Sequence, residues 1–494
     1  MLLTPVILAV NINNKEMRGL LKMGADLSES RLVLVSNGEP YKHEFIDDRI
    51  EKVKLAGGLT TGLDPLMQEE GGLWIAWGRG DADFEVVDGD NKVKVPDENG
   101  YTLKRIRLSS DEQDGFYYGF SNEVMWPICH TFISKANFKE YYWNSYKTVN
   151  RKYADSIIEE IKENDLVWIH DYHLALVPGM IKERADQTKI SVFWHIPWPA
   201  WEAFRTIPWR KEILENLLQS DFIAFHTELF LYNFISCADQ IGAEVNYRKQ
   251  EIKYKCRKTK ISSIPLGIDY DKFSKLIDNK NYYKEAEKIK KRYNIEKLIF
   301  GVDRLDYTKG IWQRLKGIDK FFEKYPEYRG RVTVLQRVSP SRNKVAEYEK
   351  MREKINKKIA EINGKYQKDN WVPVKYFYGS LPQEKLLPYY KAADAALITP
   401  LIDGMNLVAK EYLAVQEDGV LILSEFAGAA EYLDNALIVN PYNQEEIADS
   451  IYSALTMPKK ERKERLKIEK EKLKKYDINW WRDSFLKQWA EVYE

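Results

Sequence analysis

Cysteine is scarce in this chain: three residues in 494, Cys129, Cys237 and Cys256. An odd number with no CxxC spacing argues against a disulfide framework and a cysteine-bound zinc site, and suits a reducing cytosol. Histidine is almost as rare, at six residues. Charge of one sign is missing as well. The 76 Lys and Arg offset 75 Asp and Glu, which leaves a formal net charge of +1. That balance excludes a globally basic nucleic-acid binder and an acidic disordered chain; only local patches stay open. No apolar run reaches the ~18 residues of a membrane span, so no membrane association is expected. Residues 1–10 are apolar but carry no basic segment, so no signal peptide is expected. Short repeats, low-complexity linkers, a Walker loop, HExxH and a GxGxxG following a strand are all missing. The last absence disfavours a nicotinamide-dependent dehydrogenase.

Aromatics, by contrast, are plentiful: 14 Trp, 31 Tyr and 19 Phe. Composition alone favours large cores, with stacking on sugar rings or bases as the sharper alternative. The Lys/Glu/Ile/Tyr-rich composition resembles that of a thermophile. At roughly 150 residues per domain the length suggests about three domains. The pattern along the chain argues for two. Apolar, β-rich runs such as 31–36 (RLVLVS), 165–169 (DLVWI), 190–194 (ISVFW), 298–302 (LIFGV), 331–335 (RVTVL) and 395–399 alternate with amphipathic stretches such as 346–363 and 383–393. Continuous apolar runs suit strands buried on both faces of a parallel sheet. Strand–helix alternation predicts an α/β fold of doubly wound sheets. A break at Pro265–Asp269 divides the run into Rossmann-like domains over 1–268 and 269–475. The Lys/Glu-rich segment 459–475 alternates in sign and reads as a solvated helix face.

Ligands of open α/β sheets bind beyond the carboxyl ends of the strands. The first of these ends leads to Asn37-Gly38-Glu39-Pro40-Tyr41, then to Gly57-Gly58, where the backbone could approach a phosphate at a helix N-terminus. Two further ends carry His170-Asp171-Tyr172-His173 and His195-Ile196-Pro197-Trp198-Pro199. Three of six histidines beside an aspartate fit recognition of sugar hydroxyls better than a metal site, for which the spacing is wrong. After 298–302 come Arg304 and Lys309, a fork and a point charge suited to a diphosphate without a metal. After 395–399 come Asp403-Gly404-Met405-Asn406 and, two helical turns on, Glu411. Carboxylates there can accept from sugar and ribose hydroxyls, and the backbone amides could face a phosphate.

The ordered set VSN (35–37), AGGL (56–59), GGLW (71–74), FSNEVMWP (120–127), HDYHL (170–174), HIPWP (195–199), DRLDYTKG (303–310), SPSR (339–342), INGKY (362–366), TPLIDGMNLVAKEY (399–412), SEFAGAA (424–430) and NPY (440–442) resembles the trehalose-6-phosphate synthase family. These are retaining glycosyltransferases of the GT-B architecture, two Rossmann-like domains facing a central cleft. The resemblance covers about 410 residues and leaves out the first 30. It implies that Arg304 and Lys309 hold the donor diphosphate and stabilise the leaving group, and that Gly57 and Gly58 approach the same phosphates. It implies further that Asp403, Asn406 and Leu407 bind the donor sugar and Glu411 the ribose. His195 and Asp171 would line the reacting sugar. Tyr117 (or its neighbour Tyr118), Trp126 and Arg342 would form the glucose 6-phosphate pocket. The helix over 476–494 would pack back on the first domain.

The implied reaction moves glucose from a nucleotide-glucose, UDP-glucose by default, to glucose 6-phosphate, with no cofactor or metal. Without a DxDxT motif, a separate phosphatase would act on the product. A cytoplasmic protein is expected, and a homo-oligomer is open. One position departs from the family. An Arg that contacts the acceptor phosphate ordinarily follows VSN, and Gly38 stands there. Either Lys42, His43 or another cation substitutes, or the acceptor differs. A related glucosylglycerol-phosphate synthase shares an EPY-like segment, which makes glycerol 3-phosphate an alternative acceptor. A catalytically silent sugar-phosphate sensor is the alternative of a different class.

Overall fold

The computed structural model describes residues 31–55, 58–277, 280–341 and 346–493. Its strands form two large sheets and a small ribbon. The first unit contains β1 (Leu32–Gly38), β2 (Tyr41–Ile46), β3 (Arg49–Lys54), β4 (Leu73–Trp77), β5 (Lys92–Val95) and β6 (Tyr101–Ile106). It continues through β7 (Leu166–His170), β8 (Lys189–Phe193), β9 (Phe222–Phe225), β10 (Glu244–Asn246), β11 (Glu251–Tyr254) and β12 (Arg257–Ser263). Ten of these strands form one sheet in the order β10-β11-β12-β9-β8-β7-β1-β4-β6-β5. From β12 to β6 every pairing is parallel. The second sheet takes β13 (Lys297–Arg304), β14 (Val332–Ser339), β15 (Val374–Tyr378), β16 (Ala395–Ile398), β17 (Val420–Ser424) and β18 (Leu437–Val439) in the order β15-β14-β13-β16-β17-β18, all parallel.

The central strands β4, β7, β9, β16 and β17 are buried along their whole length. This is why they read as unbroken apolar runs: helices cover both faces. The edges depart from the purely parallel expectation. Strands β5, β10 and β11 are antiparallel, and β2 pairs with β3 in a separate hairpin. The hairpin gives no apolar alternation because β3 is largely exposed.

The chain crosses between the sheets twice, and the crossings touch. Residues 264–269 lead out of β12, and the Ile478 N–H, on the way back, donates to the Ile268 carbonyl at 3.0 Å. A Cβ on Gly267 would lie 2.2 Å from the carbonyl carbon of Asp477, so only glycine allows this approach. The returning helix, Ile478–Ala490, buries Trp481, Phe485 and Trp489. Phe485 stacks on Trp168 of β7 with centroids 4.2 Å apart, and Trp481 packs edge-on against Phe193 of β8 at 5.0 Å. Each such ring contributes roughly 1.5–3 kcal/mol of burial. The last helix therefore belongs to the layer under the first sheet, and much of the aromatic excess is core. Among the described residues no helix is long and apolar enough to cross a membrane.

Candidate active site

Three neighbouring parallel strands of the first sheet lead to histidine. His170 closes β7, and His195 and His226 stand just beyond β8 and β9. His170 Nδ1 lies 3.1 Å from His195 Nε2, and the His195 and His226 rings are 5.3 Å apart. Burial holds all three imidazoles below their ordinary range, His195 at about 3. The row is therefore neutral near pH 7. Its rings can donate to and accept from hydroxyls without adding charge. Among the described residues no group of three His, Cys, Asp or Glu is arranged to hold a metal ion.

Asp171 follows with φ 72° and ψ 171°. Such a conformation strains a non-glycine residue by about 1–3 kcal/mol. It brings the side chain across to the next strand, where Oδ1 accepts the His195 N–H at 3.3 Å. Burial pushes the Asp171 carboxyl up to about 7, against the N–H groups of Tyr172, His195 and Ile196. His173, grouped with these residues on sequence, stands apart. Its ring stacks on Tyr117 at 5.9 Å, because the short turn Tyr172–Leu174 carries it away from the row.

Tyr117 and Tyr118 belong to a π-helical segment, Gln113–Met125, and Trp126 follows it. Such long π-helical stretches are rare and concentrate at functional sites. The Trp126 ring packs on His130 at 4.1 Å, and the Arg304 guanidinium lies 5.6 Å from its centroid. His130 is buried near Asp306, Lys309 and Asp403, and burial lowers its imidazole to about 4.

The second sheet supplies the charge. Arg304 ends β13 and is exposed. The turn beyond it is held by Asp306, whose Oδ1 accepts the Thr308 N–H at 3.0 Å, and by Gly310 at φ 63°. A Cβ there would meet the Thr399 carbonyl oxygen at 2.3 Å. The turn places Lys309 Nζ 2.6 Å from Asp403 Oδ2, which also accepts from Asn406 Nδ2 at 3.0 Å. Burial acts to raise the Asp403 carboxyl, but Lys309, His130 and Asn406 outweigh it and hold it below its ordinary range.

Asn406, at φ 76°, caps the helix Leu407–Val415 through Oδ1, which accepts the Ala409 N–H at 3.1 Å. Leu407 is thus the first residue of a capped helix, a place that favours anions. Glu411 lies one turn further on and accepts from Gln383 Nε2 at 2.8 Å and Tyr390 Oη at 3.1 Å. Burial pushes its carboxyl up to about 6. Leu407 and Glu411 line a cleft together with Asp269, Phe273 and Thr61. Thr61 belongs to the helix that Gly58 opens. Gly57 and Arg342 lie outside the described residues.

The two halves meet at Gly404, whose Cβ would stand 2.2 Å from the His195 carbonyl oxygen. The buried Lys410 donates to the Leu266 carbonyl at 2.6 Å. Sequence reasoning passed over four residues that stand here. His226 follows β9 and His130 lies one turn beyond Trp126, so both carried a positional signal. Arg79 follows β4, another strand end. Lys410 had none, because its role depends on the first crossing, where Leu266 offers its carbonyl.

Comparison with known proteins identifies the family of the chain. The model of glycosyltransferase family 20 matches residues 30–491. An α,α-trehalose-phosphate synthase [UDP-forming] of Candida albicans is 36% identical over 469 residues, covering 93% of this chain and 97% of its own. The 56 kDa subunit of the corresponding Saccharomyces cerevisiae enzyme is 34% identical, over 93% and 94% of the two chains. Among solved structures, an E. coli protein bound with UDP-2-fluoro glucose matches with a TM-score of 0.85 and 33% identity, covering 93% of this chain and 99% of its own. A Burkholderia xenovorans α,α-trehalose-phosphate synthase in complex with glucose-6-phosphate matches at 0.83 and 31%, over 93% and 100%. The fold is accordingly GT-B, and the chain belongs to glycosyltransferase family 20.

Proposed function

We propose that the protein transfers glucose from UDP-glucose to O1 of glucose 6-phosphate, forming α,α-trehalose 6-phosphate with retention. The observation that carries the reading is the placement of charge at the junction of the halves. Arg304 and the Lys309–Asp403 pair stand on the second sheet, opposite Trp126 and the neutral histidine row of the first. The bond between the anomeric carbon and the diphosphate breaks, and a bond from that carbon to O1 of the acceptor forms. Negative charge develops on the departing UDP, where fixed cations stabilise it more than they do the substrate. The proton of the acceptor hydroxyl passes to a diphosphate oxygen on the same face. No side-chain nucleophile is required.

Asp403 and Asn406 would bind the glucose hydroxyls, and Leu407 and Glu411 the nucleoside side of the donor. Asp171 and His195 would line the reacting sugar, and Tyr117 and Trp126 the acceptor. Gly57, Gly58 and Arg342 are assigned to the donor phosphates and the acceptor by resemblance. Gly38 favours a second reading, in which the acceptor is another phosphorylated alcohol such as glycerol 3-phosphate. The product keeps its phosphate in either case, so a separate phosphatase would have to act on it.

The deciding experiment is a matrix of UDP-, ADP- and GDP-glucose against glucose 6-phosphate and glycerol 3-phosphate, with the product identified by NMR. A 1,1-linked α,α product from glucose 6-phosphate is expected. Tight binding without turnover of any pair would favour the sensor instead.

A further inference from the structure

Gly38 leaves the end of β1 without a side chain, yet the space beside it is not empty of charge. A Cβ built on Gly38 would lie 3.7 Å from Nη2 of Arg79, with Nη1 and Cζ both at 3.9 Å. The guanidinium of Arg79 therefore stands in van der Waals contact with the point where a side chain at position 38 would begin. It reaches there from the end of the neighbouring strand, since β4 pairs with β1 and Gly38 faces Trp77 in the register.

Three contacts fix it. Nη2 donates to the Asn37 carbonyl at 3.2 Å. The guanidinium lies over the rings of Trp77, at 4.7 Å, and Tyr117, at 5.3 Å. Arg79 is exposed, and among the described residues no carboxylate forms an ion pair with it. The other cations on this rim are already engaged. Lys42 pairs with Glu44. His43 is buried against Arg105 at 2.8 Å. Arg105 is itself fully buried between Glu39 and Asp83, at 3.0 and 2.9 Å.

That buried network builds the turn that carries Arg79. Glu39 Oε1 accepts the Arg79 N–H at 2.8 Å, and Asp83 Oδ2 accepts the Gly80 N–H at 2.6 Å. A Cβ on Gly80 would stand 2.2 Å from the His43 carbonyl oxygen, so the turn is tightly packed from behind. The neighbouring Asn37 Oδ1 is buried with no hydrogen-bond partner, an acceptor that a ligand hydroxyl could satisfy.

We propose that Arg79 is the residue that binds the acceptor's phosphate in this protein, in place of the side chain that Gly38 lacks. The assignment rests on the reading that the acceptor is phosphorylated. A planar guanidinium held against two rings and open on its remaining edge suits a tetrahedral oxyanion.

The test compares phosphorylated with unphosphorylated acceptor in wild type, Arg79→Gln, Arg79→Lys and the double variant Gly38→Arg/Arg79→Gln. Wild type should prefer glucose 6-phosphate over glucose. In Arg79→Gln the KM for glucose 6-phosphate should rise at least about tenfold, as for loss of a charge-assisted contact, with the preference largely gone. The KM for UDP-glucose should stay within about twofold, since no donor contact is removed. Arg79→Lys should fall between the two. The double variant should recover part of the preference, because position 38 points at the vacated space. Preference retained in Arg79→Gln overturns the assignment, and so does an equal loss of donor and acceptor binding. A wild type that refuses glucose 6-phosphate but uses glycerol 3-phosphate would overturn the acceptor identity alone, and Arg79 would then be judged on glycerol 3-phosphate against glycerol. A wild type indifferent to phosphate on either acceptor overturns both.

Discussion

The Arg304 guanidinium and the Trp126 ring face each other at 5.6 Å, one at the end of a strand of the second sheet and the other just beyond the π-helical segment of the first. The contact sets an exposed cation at the junction of the two halves. Replacing Arg304 by Ala should lower kcat/KM by roughly 10²–10³, as for loss of one donor to a developing anion. Arg304→Lys should recover only part of this, because an ammonium keeps the charge but loses the fork. Steady-state kinetics with saturating acceptor give the comparison. A near-normal Ala variant would remove Arg304 from the diphosphate site.

Lys309 and Asp403 pair at 2.6 Å, each little exposed. Lys309→Met leaves Asp403 with burial but without its main cation, so its carboxyl should move from below its ordinary range to above it. In wild type the depressed carboxyl adds stability above the unfolded-state pKa, and that stability is lost as pH falls through the folded value. In the variant the raised carboxyl stabilises only at low pH. The stability gap between the two proteins should therefore be wider at pH 7 than at pH 4. Urea denaturation at the two pH values measures it, and a gap independent of pH would mean that the pair contributes nothing through charge.

How far the sequence carried this picture depended on where each signal lay. Asp171, His195, Arg304 and Asp403 follow long apolar runs, and such runs mark buried parallel strands, so their position beyond strand ends was readable. Arg79 also follows a strand end, but a lone exposed arginine after Trp77 looks like any surface cation until Gly38 is seen beside it. The β2–β3 hairpin was invisible because its second strand, RIEKVK, is largely solvated and gives no one-sided apolar pattern. The π-helical segment has no sequence signature separable from an α-helix. His226 and Lys410 acquire partners only through contacts across the chain, His195 in one case and Leu266 in the other, and local patterning does not encode these.

Glu411 gives a pH prediction. Its carboxyl, pushed up to about 6 by burial, accepts from Gln383 and Tyr390 and should accept ribose hydroxyls when ionised. Protonation removes acceptor capacity, so UDP-glucose affinity should be constant above pH 7 and fall as pH drops through about 6. Glu411→Gln should bind more weakly and show no such limb. Calorimetric titration with UDP-glucose, whose diphosphate carries no group titrating in this range, from pH 5 to 8 decides the matter, and a wild-type affinity flat across that range would detach Glu411 from the nucleoside.

Gly404 gives the last prediction, and it concerns how the halves meet. No other residue can stand there without moving something, since a Cβ would lie 2.2 Å from the His195 carbonyl oxygen and 3.2 Å from the Ile196 Cα. Both neighbours are backbone, so no rotamer change relieves the contact. The following loop is no freer, because a Cβ on Gly428 would strike the Gly404 carbonyl oxygen at 2.1 Å. Gly404→Ala must therefore push the Asp403–Asn406 turn away from the His195 strand end. Overpacking of this kind costs about 1–3 kcal/mol if the fold absorbs it. The larger effect should be on turnover, because a displacement of about 1 Å between reacting groups can cost on the order of 10²-fold. We expect a folded variant with a modestly lower Tm, near-normal UDP affinity through Glu411 and Leu407, and kcat reduced by that factor. Normal kcat with the glycine replaced would mean that the two strand ends do not need this separation during the reaction.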